Sequence, residues 1–129
     1  MTLTLPQAVE PFLSDDVEWS QPAVYALVLK RPEDVAQAWD SVFENRPPYF
    51  TDLQEADTVV YVGAAKNLMH RLEDHSNGSV RKSALLCICE IDHLRNVWWF
   101  DSVERAFERE SGIALTMQNE YPGYYVHSR

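Results

Sequence analysis

An arginine and a histidine one helical turn apart are the residues of this chain best suited to phosphate chemistry. Arg71 and His75 follow Gly63, which ends the β-branched and aromatic run TVVYV at residues 58–62. This order predicts a strand, a turn and then a helix. Residues four apart share one face of a helix. A guanidinium offers a fork of charged donors to phosphate oxygens, and an imidazole relays a proton near neutral pH. The pair therefore predicts a phosphodiester site.

These residues resemble the GIY-YIG nuclease family, which includes the catalytic domains of homing endonucleases. The family's second half-motif is similar to Tyr61-Val62-Gly63, with Arg71 at the expected distance and His75 one turn later. Its first half-motif is similar to Ala23-Val24-Tyr25, and its metal-binding glutamate is best matched by Glu110. The resemblance is strong over residues 58–75, fair over 23–29 and 97–115, and absent over 1–20 and 31–56.

The resemblance implies a metal-dependent endonuclease that hydrolyses DNA phosphodiester bonds, with branched, damaged or viral DNA as its substrate. In that role Glu110 would hold Mg²⁺ or Mn²⁺, and Arg71 would bind the scissile phosphate. Tyr25 or Tyr61 would take the proton from water, with His75 as its proton acceptor or hydrogen-bond partner. A free phenol has a pKa of about 10, so nearby positive charge must lower the pKa of the tyrosine that acts as the base.

Two features of the chain depart from the family pattern. Pro122 matches a closing proline, but Tyr125 stands where the family has an asparagine, and Asn119 is out of register. The two tyrosines are also separated by about 25 residues more than is usual, which a loop tolerates at small entropic cost. A second hypothesis is therefore a nuclease-like module that binds protein or nucleic acid without cutting it. A toxin-like RNase is a third.

The charge balance bears on the choice between these hypotheses. Twenty acidic residues against eleven basic ones give a net charge of −9, which opposes long-range attraction of a polyanion. A halophilic source would reconcile this acidity with a DNA substrate, because the Debye length falls to about 3 Å at molar salt. Otherwise the acidity is evidence against DNA.

A local positive patch could nevertheless follow a nucleic-acid backbone, with an ordinary solvated surface as the alternative. Trp98 and Trp99 are adjacent in a predicted strand and so face opposite sides of it, and an exposed one could stack on a base. The basic residues of the predicted patch are Lys66, Arg81, Lys82, Arg105 and Arg109.

Length and composition predict one domain. The 129 residues are 46% hydrophobic, enough for a single core. No apolar run is long enough for a bilayer and no signal peptide is visible, so we expect a cytoplasmic protein with no membrane partner. Cys87 and Cys89 are expected to be reduced, buried thiols. If the substrate is DNA, specificity would have to come from the insertion at residues 31–56, a homodimer or a partner protein.

The predicted architecture is an α/β domain at residues 23–129 that follows an N-terminal arm at 1–22. The resemblance implies a small, mostly antiparallel three-stranded sheet flanked by helices, and the order of predicted elements allows it. Residues 31–56 would be a helical insertion between the first two strands, packed through Val35, Trp39, Val42 and Phe43. Strands are predicted at 23–30, 58–62 and 97–100, helices at 32–46, 65–75, 79–91 and 103–119, the last interrupted or bent near Gly112, and a connector at 47–57.

Overall fold

A computed structural model describes residues 21–77 and 84–128 of the chain. Nearly all of the predicted arm, as well as Arg81 and Lys82, lies outside the described residues. The elements in chain order are β1 (Ala23–Lys30), α1 (Val35–Asp40), α2 (Phe50–Glu55), β2 (Thr58–Ala65), α3 (Leu68–Asn77), α4 (Ala84–Ile88), β3 (Glu90–Trp99), α5 (Val103–Glu120) and β4 (Tyr124–Ser128).

One mixed sheet organises the α/β fold, with strand order β3-β1-β2-β4. β1 pairs antiparallel with β2 and β3, and β4 pairs parallel with β2. The α/β class is confirmed, but the prediction of three strands was wrong, because β4 adds a fourth. This strand has five residues and follows Pro122 and Gly123, so its local sequence alone suggests a terminal segment without regular secondary structure. Its partner β2 is far away in sequence, and no local pattern reveals such a pairing.

The sheet is buried on both faces. Alternate residues of β1 and β2 define a face that we call the tyrosine face, built on Ala23, Tyr25, Leu27, Val59 and Tyr61, and α1 to α4 contribute to the core on this side. The opposite face, the α5 face, contains Val24, Ala26, Val60, Val62 and Ala64 and is covered by α5. Burial on both sides explains why the two strands are nearly continuous apolar runs. In the described part of the chain, none of the helices has the length and apolar content that crossing a bilayer requires.

The insertion between β1 and β2 packs on the tyrosine face. Trp39 is 3% exposed, and its Nε1 donates a hydrogen bond of 2.8 Å to the carbonyl of Asn45. Val35 is also buried, as predicted, but Val42 is 56% exposed, which corrects its assignment to the apolar stripe. The helix is shorter than predicted: Asp34 caps its first turn and it ends at Asp40. The predicted connector at 47–57 contains helix α2.

The segment after α3 differs most from the prediction. Helix α4 stops at Ile88, and β3 begins at Glu90 rather than at Val97. Two shifts in the register against β1 leave Asp92 and Arg95 as extra residues, which are β-bulges. Each bulge interrupts the alternation that marks a strand, so no strand was predicted over residues 92–96, and the helix predicted at 79–91 ran two residues into β3. Ser102 caps α5 as predicted, but α5 continues through Gly112 without interruption.

Candidate active site

The pairing of β1 with β2 brings the two half-motifs together. Tyr25 lies directly opposite Gly63, and both side-chain positions face the same side of the sheet. A Cβ atom at position 63 would lie 2.5 Å from the hydroxyl oxygen of Tyr25 and 2.6 Å from its Cζ atom. The phenol ring therefore lies over the glycine, and only a residue without a side chain leaves room for it there. The second tyrosine, Tyr61, is a neighbour, with ring centroids 6.4 Å apart.

Helix α3 places Arg71 beside this phenol. The side chain of Asn67 accepts a hydrogen bond from the N–H of His70 and so starts the helix, while Leu68 and Leu72 anchor it in the core. Arg71 is half-buried and donates a hydrogen bond to the hydroxyl of Tyr25. Its Nε atom is buried and has no hydrogen-bond partner in the described part of the chain. A buried donor without a partner is unusual in a folded protein.

Helix α5 contributes Glu110 from the other face of the sheet. The helix buries Ala106, Glu110, Ala114 and Met117, and Glu110 is 7% exposed. Its carboxylate is close enough to Tyr25 for its charge to raise the pKa of that phenol. A carboxylate in an otherwise apolar stripe is costly to bury. The structure thus brings Tyr25, Tyr61 and Arg71 together, and Glu110 acts on Tyr25 through its charge from the α5 face.

Burial dominates the acidity of Tyr25. It raises the pKa of the phenol well above its usual value, and the nearby Tyr61 and Glu110 act in the same direction. The hydrogen bond and the positive charge of Arg71 lower the pKa, but by less than burial raises it. Arg71 therefore does not produce the acidic tyrosine that we expected. In the chain by itself, Tyr25 is protonated at neutral pH.

A cleft of about 240 Å³ opens next to Arg71, where the end of β2 meets α3 and α5. Lys66, one of the predicted DNA-binding cations, is among its lining residues, together with His70, which the sequence analysis did not select. The cleft is lined by Ala64, Ala65, Lys66, Asn67, His70, Arg71 and Phe107.

The remaining predicted site residues that the structure describes lie on α3 and α5. His75 lies on α3, one turn after Arg71. Arg105 and Arg109 are exposed on α5. Arg81 and Lys82, outside the described residues, have no assigned place.

A histidine that the sequence analysis missed lies next to Tyr61. His127 pairs with Tyr61 across β2 and β4, and the two rings are stacked at 5.9 Å. Its Nδ1 atom forms a hydrogen bond of 2.7 Å with the hydroxyl of Tyr125, whose ring stacks on Tyr49 at 5.4 Å. Burial lowers the pKa of His127, so its imidazole is neutral at pH 7. The alternation of Tyr125 and His127 within YYVHS was the signal available in the sequence.

The donor set near Tyr25 limits the kind of metal ion that could bind. Among residues 21–77 and 84–128, no three His, Cys, Asp or Glu side chains are grouped to hold a metal. Glu110 is the carboxylate whose charge reaches Tyr25. Mg²⁺ keeps several waters and is usually held by one or two carboxylates and the substrate phosphate. Glu110 therefore fits a hydrated Mg²⁺ or Mn²⁺, and does not suit an ion that needs a full cage of protein ligands.

Comparisons of the chain with protein-family models, with curated proteins and with solved structures found no match in any of the three. The resemblance to GIY-YIG nucleases accordingly rests on the motif residues of the sequence and stays a prediction.

Proposed function

We propose that this protein is a metal-dependent endonuclease of the GIY-YIG type that hydrolyses phosphodiester bonds in DNA. One observation carries the proposal: three motif residues that are distant from Tyr25 in the sequence act on its phenol. Tyr25 lies over Gly63, receives a hydrogen bond from Arg71 and is within reach of the charge of Glu110. A domain that needed only a stable core would gain nothing from a half-buried guanidinium and a buried carboxylate around a tyrosine.

Arg71 is the proposed phosphate ligand. It lines the cleft at the end of β2, where its guanidinium can donate to a phosphate oxygen. Lys66 lines the same cleft and would contact a second phosphate oxygen or the neighbouring phosphate. Because Arg71 also holds the hydroxyl of Tyr25, the phenol and the bound phosphate would be fixed relative to one another.

Hydrolysis forms a bond from a water oxygen to phosphorus and breaks the bond from phosphorus to the leaving nucleoside oxygen, which takes up a proton. A Mg²⁺ or Mn²⁺ ion held by Glu110 would stabilise the charge that develops on the phosphate and the leaving oxygen. Tyr25 is our proposed acceptor of the water proton; because the buried phenol is protonated in the chain by itself, it would first have to release its own proton to solvent, which the positive charges of Arg71 and of a bound metal ion would favour. Tyr61 supports the ring of Tyr25, and the neutral imidazole of His127 stacks on Tyr61 from the other side.

The test is nicking of supercoiled plasmid DNA with Mg²⁺ or Mn²⁺, from dilute to molar NaCl. Glu110→Gln keeps the shape of the side chain but removes its charge, so cleavage should be lost while DNA binding is kept or improved. Arg71→Ala should weaken both, because the guanidinium holds phosphate in the ground state as well as in the transition state. Glu108→Gln is the matched control, since Glu108 is exposed on the same helix.

The rival function is a binding module that does not cut. It is favoured by the burial of the two tyrosines, which are 0% and 1% exposed, and by Tyr125 in the place of the family's asparagine. A folded wild type that cleaves neither DNA nor RNA at any salt concentration would support this rival. Failure of Tyr125→Asn to gain activity would then exclude position 125 as the explanation. Cleavage of RNA alone would point to the RNase hypothesis.

The salt series also addresses the acidic composition. With a net charge of −9, attraction of DNA must come from local cations, and high salt would screen the general repulsion. An activity optimum near molar salt would support a salt-rich cytoplasm as the place of action. A second copy of the chain or a partner protein would supply further specificity.

A further inference from the structure

A second groove lies on the α5 face, on the side of the sheet opposite Tyr25 and Tyr61. It has a volume of about 630 Å³ and runs between β3 and α5. Trp98 and Phe100 form part of its wall, whereas Trp99 packs on the opposite face of the sheet. The lining side chains that matter here are Arg95, Asn96, Trp98, Phe100, Arg109 and Tyr121.

The β-bulge in β3 gives this groove a fixed guanidinium. Arg95 is the extra residue between the partners of Ala26 and Leu27, and a bulge redirects the side chain that it carries. The guanidinium lies 4.8 Å from the ring centroid of Tyr121 and 5.5 Å from that of Tyr124. These two rings are themselves stacked at 4.7 Å. Arg95 is therefore held on an aromatic platform.

Neither arginine of the groove is neutralised by a carboxylate. In the described residues, Arg95 and Arg109 form no ion pair, although Glu120 also lines the groove. Such pairs would be easy to form in a chain with 20 acidic residues and 11 basic ones. Two uncompensated guanidiniums beside exposed or half-buried aromatic rings are complementary to a ligand that has both negative charge and flat aromatic groups.

We propose that the groove binds an unpaired DNA strand next to the scissile phosphate, with a base against Trp98 and phosphates against Arg95 and Arg109. This inference rests on the proposed nuclease function and assigns its substrate to DNA with single-stranded segments. The pairing of the strands supports this placement of the DNA strand. Trp98, Val24 and Ala64 are paired in one row across three strands, and Ala64 lines the cleft beside Arg71.

The distance also agrees. Two strand spacings separate the ends of that row, about 10 Å, a distance that a few nucleotides of an unpaired strand can cover. Helix α5 borders both places, with Phe107 in the cleft and Arg109 in the groove. A strand that leaves the cleft over the first half of α5 would therefore reach the groove. Duplex DNA presents no unstacked base to Trp98, so the groove would favour unpaired strands.

The test is fluorescence anisotropy in EDTA with a labelled oligothymidylate of about 12 nucleotides, a length in the range that single-strand sites cover. A duplex of the same length is the comparison. We expect the wild type to bind the single strand more tightly than the duplex. Arg95→Gln, Arg109→Gln and Trp98→Leu should each weaken this binding about fivefold or more. Lys30→Gln removes one exposed positive charge at the other end of β1 and should change it less than about twofold.

Because no metal is present, this result does not depend on cleavage. Preference of the wild type for the duplex, or no binding of the single strand at low salt, would overturn the groove assignment. So would groove variants that bind like the wild type while circular dichroism shows that they are folded. Equal competition by polyglutamate would also overturn it, because the groove would then recognise anionic chains without using bases. Metal-dependent plasmid cleavage that Glu110→Gln abolishes would leave the nuclease proposal standing in each of these cases.

Discussion

Gly63→Ala is the substitution that tests the geometry of the candidate site most directly. The added methyl group would lie 2.5 Å from the hydroxyl oxygen of Tyr25 and 2.6 Å from its Cζ atom. Tyr25 is fully buried, and its ring packs among Tyr61 and the core of the tyrosine face. An ordinary contact begins near 3.4 Å, so the side chain would have to move by about 0.9 Å in a densely packed environment.

The expected cost follows from two opposing effects. Overpacking a core usually destabilises by about 1–3 kcal/mol. Replacing glycine by alanine also restricts the unfolded chain, which returns about 0.4–1 kcal/mol. We therefore expect Gly63→Ala to lower the free energy of unfolding by about 1–2 kcal/mol, and Tm by roughly 3–10 °C for a domain of this size. If Tyr25 takes part in catalysis, cleavage should fall by more than stability does, by up to about 100-fold for a misplacement near 1 Å.

Gly112→Ala is the matched control, because it is the same chemical change with the opposite expected sign. Gly112 is exposed in the middle of α5, and an added Cβ would have no atom within 4 Å. Alanine should stabilise that helix by up to about 1 kcal/mol. Thermal and urea denaturation of both variants measure the difference. A Gly63→Ala protein as stable as Gly112→Ala would refute the placement of the Tyr25 ring over Gly63.

Three further substitutions test the surroundings of the site. Burial lowers the pKa of His127, so near pH 6.5 the unfolded chain binds a proton that the folded chain does not, and stability should fall as the pH drops below about 6.5. His127→Phe should therefore make Tm depend less on pH between pH 5 and 7.5. His70→Asn, at an exposed position, is the control and should leave that dependence in place. Tyr125→Phe removes the hydrogen bond to His127 but keeps the ring, so urea denaturation should show a loss of about 1 kcal/mol, and a larger loss would mean that the stack is also disturbed. Trp39→Ala should cost about 3–5 kcal/mol in the same assay, since the ring is in the core, and a cost below 1 kcal/mol would contradict the packing of the insertion.

The parts of the fold that the sequence predicts well are those with an unbroken local period. β1 and β2 are apolar runs of eight residues, and α5 has a serine cap and a regular apolar stripe. The first seven residues of β3 were missed because two bulges disturb the alternation of side chains, and the helix predicted at 79–91 extended over Glu90 and Ile91. β4 was missed because its stability depends on pairing with β2 and on the contacts of α5, and five residues carry too little pattern of their own.

In the candidate site as well, residues with a local sequence signal could be predicted, and properties that depend on the tertiary fold could not. Tyr25, Tyr61, Arg71 and Glu110 could be selected from spacing and resemblance; the structure groups the first three, and Glu110 acts on Tyr25 through its charge from the α5 face. The raised pKa of Tyr25 could not be predicted, because it depends on how deeply the sheet and helices bury the ring. His127 could not be selected either, since its contact with Tyr61 exists only through the missed strand.

The electrostatics around Tyr25 argue that this neighbourhood was not arranged for stability. Glu110 occupies a position in α5 between Ala106 and Ala114, where an apolar side chain would extend the stripe without a desolvation cost. Arg71 likewise interrupts the packing of α3 between Leu68 and Leu72 and leaves a buried donor. In a domain this small, free energies of unfolding are only about 5–15 kcal/mol, so two such residues use a substantial share of it. A charged residue at a helix position that would normally be apolar is usually found where a ligand or a reaction requires it. Both of these charged residues act on the phenol of Tyr25, and Arg71 also lines the cleft.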